Sequence, residues 1–222
     1  MMSLKRFFST PYAKFSAVLV AFLILGILAW QPIQVLNLQA RAGKMRESYL
    51  QDHAPSFESL LTCQINLLTT PPNDERLSEG IGFLEKARNL TPFNAHTNYL
   101  LGQFYCLNGD FNQAIEAFEA FSALRPENPL GALERAFAHL GIAFTGEDLQ
   151  DIDRDFHKSQ CVQDLQSQGY SFEYFLTEGD AAFEQEAYSV AYLWYRVAAL
   201  FQPLPDEAAS KLSILEEYGL NR

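Results

Sequence analysis

Few side chains of this chain stand at spacings that would support catalysis or metal binding. A zinc-protease helix needs two histidines four residues apart, and a phosphate-binding loop needs closely spaced glycines before a lysine. Neither pattern occurs in the sequence. The histidines are His53, His96, His139 and His157. None pairs with another at helical spacing, so we expect isolated surface or groove histidines.

Three aspartates alternate like the start of a calcium-binding loop: Asp151, Asp153 and Asp155. Such a loop needs glycine at its sixth position and a bidentate glutamate at its twelfth. Here those positions hold Phe156 and Val162. The aspartates are therefore interpreted as a solvated helix face. We expect no catalytic residue, no bound metal and no cofactor, and thus no enzyme.

The three cysteines, Cys63, Cys106 and Cys161, form no Cys-x-x-Cys pair. This excludes the usual zinc and thioredoxin-type sites. In an oxidising compartment three cysteines allow one disulfide and one free thiol. The sequence does not identify the pair, and the working expectation is that no disulfide is structural.

Composition and charge exclude several classes of protein. The chain has 222 residues, of which 48% are hydrophobic and 19% charged, so it is not a disordered polyampholyte. Residues 1–30 carry three basic residues and no acid, whereas the remaining 13 basic and 27 acidic residues give a net charge of −14. A surface this acidic does not suit nucleic-acid binding.

Residues 15–30 are free of charge, and Thr10 and Pro11 suit the start of a helix. We predict a tail over 1–10 and a single transmembrane helix over 11–31, which Pro32 would kink or end. A cleaved signal peptide, with a site near Ala40-Arg41-Ala42, and a buried helix are the alternatives. The flanking bases tie at three each, namely Lys5, Arg6 and Lys14 against Arg41, Lys44 and Arg46. The shorter, basic amino-terminal side favours an extracytoplasmic or periplasmic carboxyl domain.

The rest of the chain repeats itself. Pro92 and Pro126 lie 34 residues apart and close similar phrases, and Pro203 closes a third. Counted from Ala95, the first clear unit has Leu101 and Gly102 at positions 7 and 8, Tyr105 at 11, Ala114 at 20, Phe118 at 24 and Pro126 at 32. Position 27 holds Phe121 instead of alanine. Counted from Phe172, the second has Gly179 at 8, Ala182 at 11, Ala191 at 20, Tyr195 at 24, Ala198 at 27 and Pro203 at 32.

This pattern resembles the tetratricopeptide repeat (TPR), a 34-residue helix–turn–helix unit. The resemblance implies an all-α chain in which an α-solenoid over 57–218 follows the membrane helix and a helical stalk over 32–56. Its units are 57–92 (divergent), 95–128 (clear), 129–171 (degenerate, with an insertion near 159–171), 172–205 (clear) and a capping helix over 206–218. Gly219 ends the capping helix, and a tail over 219–222 follows.

In such arrays the first helix of each unit lines a concave groove. Carried over to this chain, the partner-binding groove would comprise His96, Tyr99, Gln103, Leu133, Phe137, Glu173, Leu176 and Asp180. It would be apolar in the middle and acidic at one end, which suits a partner segment with an apolar anchor and basic residues. The alternative is that its apolar residues are the core of a short, closed solenoid.

The chain is therefore interpreted as a membrane-tethered, non-enzymatic adaptor or assembly factor, similar to bacterial inner-membrane TPR accessory proteins. It would bind a membrane-associated protein partner, with no nucleic acid and no small-molecule substrate. The alternative is a constitutive subunit of a larger membrane complex, in which the repeats serve as packing surface. The sequence does not identify the partner.

Overall fold

The computed structural model describes residues 11–53, 60–69, 74–146 and 149–220. Within these ranges the chain forms ten α-helices and a closing helical turn, and it contains no strand, so the predicted all-α class is confirmed. The helices are α1 Pro11–His53, α2 Thr62–Leu68, α3 Glu75–Leu90, α4 Ala95–Asn108, α5 Phe111–Leu124, α6 Leu130–Thr145, α7 Asp151–Ser167, α8 Phe172–Glu184, α9 Tyr188–Phe201 and α10 Asp206–Leu215, followed by the turn Glu216–Leu220. Some of the predicted segments lie outside the described residues. These are the tail over 1–10, residues 221–222 of the tail predicted over 219–222, and residues 54–59 at the junction of the predicted stalk and first unit.

Neighbouring helices pack as successive hairpins. The helix pairs α4–α5, α6–α7 and α8–α9 each form an extensive contact, α5 packs on α6, and α10 packs on α9. Side-chain caps mark several helix starts: the side chains of Asp74, Asn94 and Ser171 accept hydrogen bonds from the amides of Arg76, Thr97 and Tyr174. These local signals explain why the boundaries follow the sequence pattern closely.

A glycine opposite an aromatic ring sets the closest approach in two of the hairpins. A Cβ atom added to Gly102 would lie 2.5 Å from the Phe118 ring, and one added to Gly179 would lie 2.8 Å from the Tyr195 ring. Both pairs are 16 residues apart in the chain. The helices of each hairpin can therefore approach because no side chain stands between backbone and ring.

Phe121 departs from the repeat pattern, and the next helix makes room for it. A Cβ atom added to Gly131 on α6 would lie 2.7 Å from the Phe121 ring, and Phe121 itself is buried. The Tyr99 ring packs on it at a centroid distance of 5.0 Å. The larger side chain thus fills the contact between two hairpins.

The first hairpin differs from the predicted one. The sequence suggested that residues 57–68 pair with the following helix, but α3 instead packs along the carboxyl half of α1. Val35, Ala42 and Tyr49, seven residues apart, form a buried stripe on α1. The predicted stalk therefore serves as the first helix of the array, because a helix with an apolar stripe is more stable when that stripe is covered.

The amino half of α1 carries the predicted membrane segment. Helix α1 continues through Pro32, so the proline does not end it. Among the residues that the structure describes, no helix is both long enough and apolar enough to cross a membrane. Several apolar side chains of this half are exposed, including Phe22 and Trp30.

Two details at the carboxyl side also differ from expectation. The predicted insertion near 159–171 is the regular continuation of α7 and the turn that follows it. At the end of the capping helix predicted over 206–218, Leu215 is buried but Tyr218 is 80% exposed, because the helix gives way to a turn in which Gly219 has a φ of 80°.

Candidate functional site

The short helix α2 lies on the face where the sequence places a groove. It contacts α4, α6 and α9, which are helices of three different hairpins. Five of its residues are buried: Thr62, Cys63, Gln64, Ile65 and Asn66. The middle of the predicted groove is therefore covered by a segment of the chain itself.

Glu134 holds the start of α2. This carboxylate is fully buried on α6 and accepts hydrogen bonds from the backbone amides of Thr62 at 3.2 Å and Cys63 at 2.9 Å. It also accepts a hydrogen bond from Nε2 of Gln103 at 3.3 Å. Burial raises the pKa of Glu134, and these three donors oppose the shift. The carboxylate thus satisfies amides at a helix start that have no partner within the helix.

A disulfide bond fixes the same helix to α4. Cys63 and Cys106 are bonded, with their Cα atoms 5.0 Å apart, and both residues are fully buried. Nδ2 of Asn66 donates to the carbonyl of Leu107 at 3.1 Å, one residue further along. The expectation that no disulfide is structural was wrong, because the pairing depends on how α2 returns to the array and not on local spacing.

A cavity of about 310 Å³ opens beside α2. The outer wall is formed by Leu60, Leu61 and Gln64. The opposite side belongs to the array: Leu133, Phe137, Tyr170, Tyr174, Phe175 and Trp194. The ring of Trp194 lies 6.2 Å from that of Phe137 and 5.6 Å from that of Phe175, centroid to centroid. The result is an apolar pocket with an aromatic floor, and such surfaces bind large apolar groups.

The structure divides the predicted groove residues. Leu133 and Phe137 line the pocket. Gln103 lies beneath α2 on Glu134. Tyr99 is partly buried beside them, and burial, with a smaller contribution from the charge of Glu134, raises its pKa. These four residues therefore converge on one face.

The other four predicted residues are spread more widely. His96 and Glu173 are exposed, and Leu176 is partly buried against the core. Asp180 accepts hydrogen bonds from Nζ of Lys211 and from the Tyr195 hydroxyl, both at 2.7 Å. Lys211 of the capping helix thus pairs with Asp180, which is one of the two carboxylates expected at the acidic end of the groove.

Sequence reasoning missed the parts of the site that are not repeated. Glu134 is the only acidic residue within the apolar stretch 130–145, and this isolation was a signal that it has a buried partner. Trp194, Tyr170 and Tyr174 lie at positions for which the repeat pattern assigns no ligand role. Their convergence depends on how α7, α8 and α9 pack.

Two histidines expected to be isolated meet between α6 and α7. Nδ1 of His139 lies 2.8 Å from Nδ1 of His157, and the Phe156 ring stands edge-on to His139. Burial, and then the neighbouring His157, lowers the pKa of His139 to about 4. Within the described ranges, no three His, Cys, Asp or Glu side chains are arranged to hold a metal ion.

No protein-family model matches this chain, and no curated protein matches it either.

Proposed function

We propose that this chain is a membrane-tethered, non-enzymatic adaptor that binds a partner protein at the pocket beside α2. The observation that carries the proposal is the pocket itself. A cavity of about 310 Å³ with an aromatic floor is held on the outside of a helical array, next to a segment that the chain fixes in place. Apolar pockets of this kind are the default binding sites of helical scaffolds.

The repeated hairpin geometry supports an interaction role. Gly102 with Phe118 and Gly179 with Tyr195 stand at equal spacing and make equivalent contacts. This is what the resemblance to TPR units implies, and stacked hairpins of this type present extended surfaces to other proteins. We therefore retain a TPR-like α-solenoid as the framework of the proposed adaptor.

Membrane tethering is supported by the apolar amino half of α1. Residues 15–30 lack charge, and described side chains such as Phe22 and Trp30 are 70% and 60% exposed. Apolar side chains exposed on one helix are stabilised by lipid. The Cys63–Cys106 disulfide supports an extracytoplasmic carboxyl domain, since disulfides persist in oxidising compartments.

Site-specific photocrosslinking in intact membranes tests the binding role. Tyr174 lines the pocket and is 43% exposed, whereas Tyr188 is 44% exposed and lies outside the pocket lining. A photoreactive phenylalanine at either position presents a similar side chain with similar exposure. We expect a discrete protein adduct from position 174 and none from 188.

Other results would count against the adaptor. Equal labelling at the two positions, or none at either, would contradict binding at the pocket. Stoichiometric co-purification with a fixed set of proteins, without labelling at 174, would favour the constitutive-subunit alternative.

A separate experiment tests the membrane topology. We expect the chain to resist alkaline extraction from membranes, and we expect protease to cleave its carboxyl domain in spheroplasts.

A further inference from the structure

One wall of the pocket is formed by a segment that is not stable as a helix on its own. Helix α2 has seven residues, and helices this short are unstable in isolation. Yet Leu60, Leu61 and Gln64 of this segment close the pocket. The shape of the pocket therefore depends on whatever keeps α2 against the array.

Several contacts keep it there, and three of them reach across long stretches of chain. Cys63 is bonded to Cys106, Glu134 accepts from the first amides of α2, and Asn66 donates to the Leu107 carbonyl. Of these, the disulfide is the covalent one. Neither the cysteines nor Glu134 lines the pocket, whereas Leu60, Leu61 and Gln64 of the segment that they hold do line it.

The size and charge of the pocket describe its occupant. A volume of about 310 Å³ is at the lower end of the range for small-molecule sites and fits one or two large apolar side chains. Among the described residues that line the pocket, none is basic. On α8, Glu173 is the residue before Tyr174 and is exposed. Burial raises the pKa of the Tyr174 hydroxyl, and the charge of Glu178 raises it further. Two glutamates on the helix that supplies Tyr174 to the pocket are complementary to a basic segment with an apolar anchor.

We infer that the pocket binds an apolar side chain of a protein segment that carries lysine or arginine beside this anchor, and that the Cys63–Cys106 disulfide assembles the pocket by fixing α2. This inference rests on the proposed function, because it names the partner chemistry of the same site. It adds that binding depends on the Cys63–Cys106 disulfide, although neither cysteine lines the pocket.

The test uses the full-length chain in lipid nanodiscs and three labelled twelve-residue peptides. The first has a central Leu-Phe-Leu with flanking lysines, the second has flanking glutamates, and the third has alanines in place of the apolar core. Fluorescence anisotropy measures their binding. We expect the first peptide to bind at least tenfold more tightly than the other two.

Matched cysteine variants test the role of the disulfide. Replacement of both Cys63 and Cys106 by alanine should weaken binding of the first peptide at least tenfold. The control is Cys161→Ala, which removes a buried free thiol and should leave affinity within twofold. If the double variant loses helicity, Glu134→Gln replaces it, since this change weakens the hold on α2 while the disulfide remains. We expect severalfold weaker binding.

Several outcomes would overturn the inference. These are unchanged affinity of the cysteine or Glu134 variants, equal binding of the glutamate-flanked peptide, or a co-purified lipid whose acyl chain fills the pocket. Failure of all three peptides together with a discrete adduct at position 174 would refute the partner chemistry and leave the adaptor standing. Failure of both experiments would refute the adaptor as well.

Discussion

The hairpins α4–α5 and α8–α9 are two versions of one structure. Each places a glycine of its first helix against an aromatic ring of its second, Gly102 on Phe118 and Gly179 on Tyr195. Each closes its first helix with the same pair of hydrogen bonds: the amides of Gly109 and Asp110 donate to Cys106 and Tyr105, and those of Glu186 and Ala187 donate to Phe183 and Ala182. The comparison shows that a few fixed positions specify the hairpin.

The turns differ in one instructive residue. Gly109 has a φ of 83°, and Glu186 occupies the equivalent place with a φ of 59°. Only glycine adopts this left-handed region freely. The second hairpin therefore keeps its turn geometry against the preference of its own residue, because the surrounding hydrogen bonds and packing determine it.

The surroundings of the two hairpins differ much more. The first is covered by α2 and bonded to it through Cys106, whereas the second contributes Tyr174, Phe175 and Trp194 to an open pocket. The repeated framework is therefore shared, and the unrepeated helix α2 closes one wall of the pocket at which we propose a partner binds. The following predictions test this division.

Removal of the disulfide should have the largest effect on stability. Joint replacement of Cys63 and Cys106 by alanine releases a constraint across 43 residues, for which chain entropy gives about 4 kcal/mol. Urea unfolding measures the loss. Cys161→Ala is the control and should cost about 1 kcal/mol, because it deletes one buried sulfur. If the double variant lost no more stability than Cys161→Ala, the disulfide bond would not stabilise the fold.

Overpacking the glycine contacts should destabilise both hairpins. Gly102→Leu places side-chain atoms into the Phe118 ring, and Gly179→Leu does the same at Tyr195. We expect a loss of about 1–3 kcal/mol for each, larger at Gly102, where the added Cβ would lie closer. Gly82→Leu is the matched control, since open space surrounds that helical glycine. Unchanged melting temperatures for the first two variants would contradict the equivalence of the hairpins.

The hairpin α6–α7, which lies between these two, should be sensitive to acid. The pKa of His139 is about 4 in the fold, against 6.5 in an unfolded chain. Between these values the unfolded chain binds a proton that the folded chain does not, so stability falls as pH drops from 6.5 to 4. His139→Asn should remove about 2 kcal/mol of this pH dependence.

Unfolding curves at pH 7 and pH 4.5 for wild type and variant measure the difference. The other charged and titratable groups around His139 and its neighbour His157 remain in both proteins: His157 itself, Asp153, Asp164 and Arg135. An identical pH dependence in the two proteins would show that His139 stays solvated enough to titrate normally.

The smallest effect should come from the turn of the second hairpin. Glu186→Gly gives it the residue of the first, and we expect a gain of about 0.5–1 kcal/mol from relief of the left-handed conformation. Gly109→Glu is the reverse change and should be destabilising by a similar amount. Thermal unfolding of both variants measures the pair. If the two turns are equivalent, the two substitutions must change stability in opposite directions.

The sequence predicted the repeated part of the fold well. The bounds of α4, α5, α8 and α9 follow from glycine, aromatic and proline positions that act within one hairpin. A smaller part of the candidate site was also within reach, since Leu133 and Phe137 line the pocket. The aromatic floor was not, because Trp194 and Phe137 are 57 residues apart and meet only through packing of separate hairpins.

By itself, the sequence determined the helical class, the hairpins and the apolar amino-terminal segment, because these depend on residues within a few turns of one another. The tertiary structure decided the pairing of α1 with α3, the return of α2 across the array, the Cys63–Cys106 bond and the buried position of Glu134. Each of these joins residues far apart in the chain. Local propensity carries no information about such contacts, and burial of the remaining apolar surface selects them.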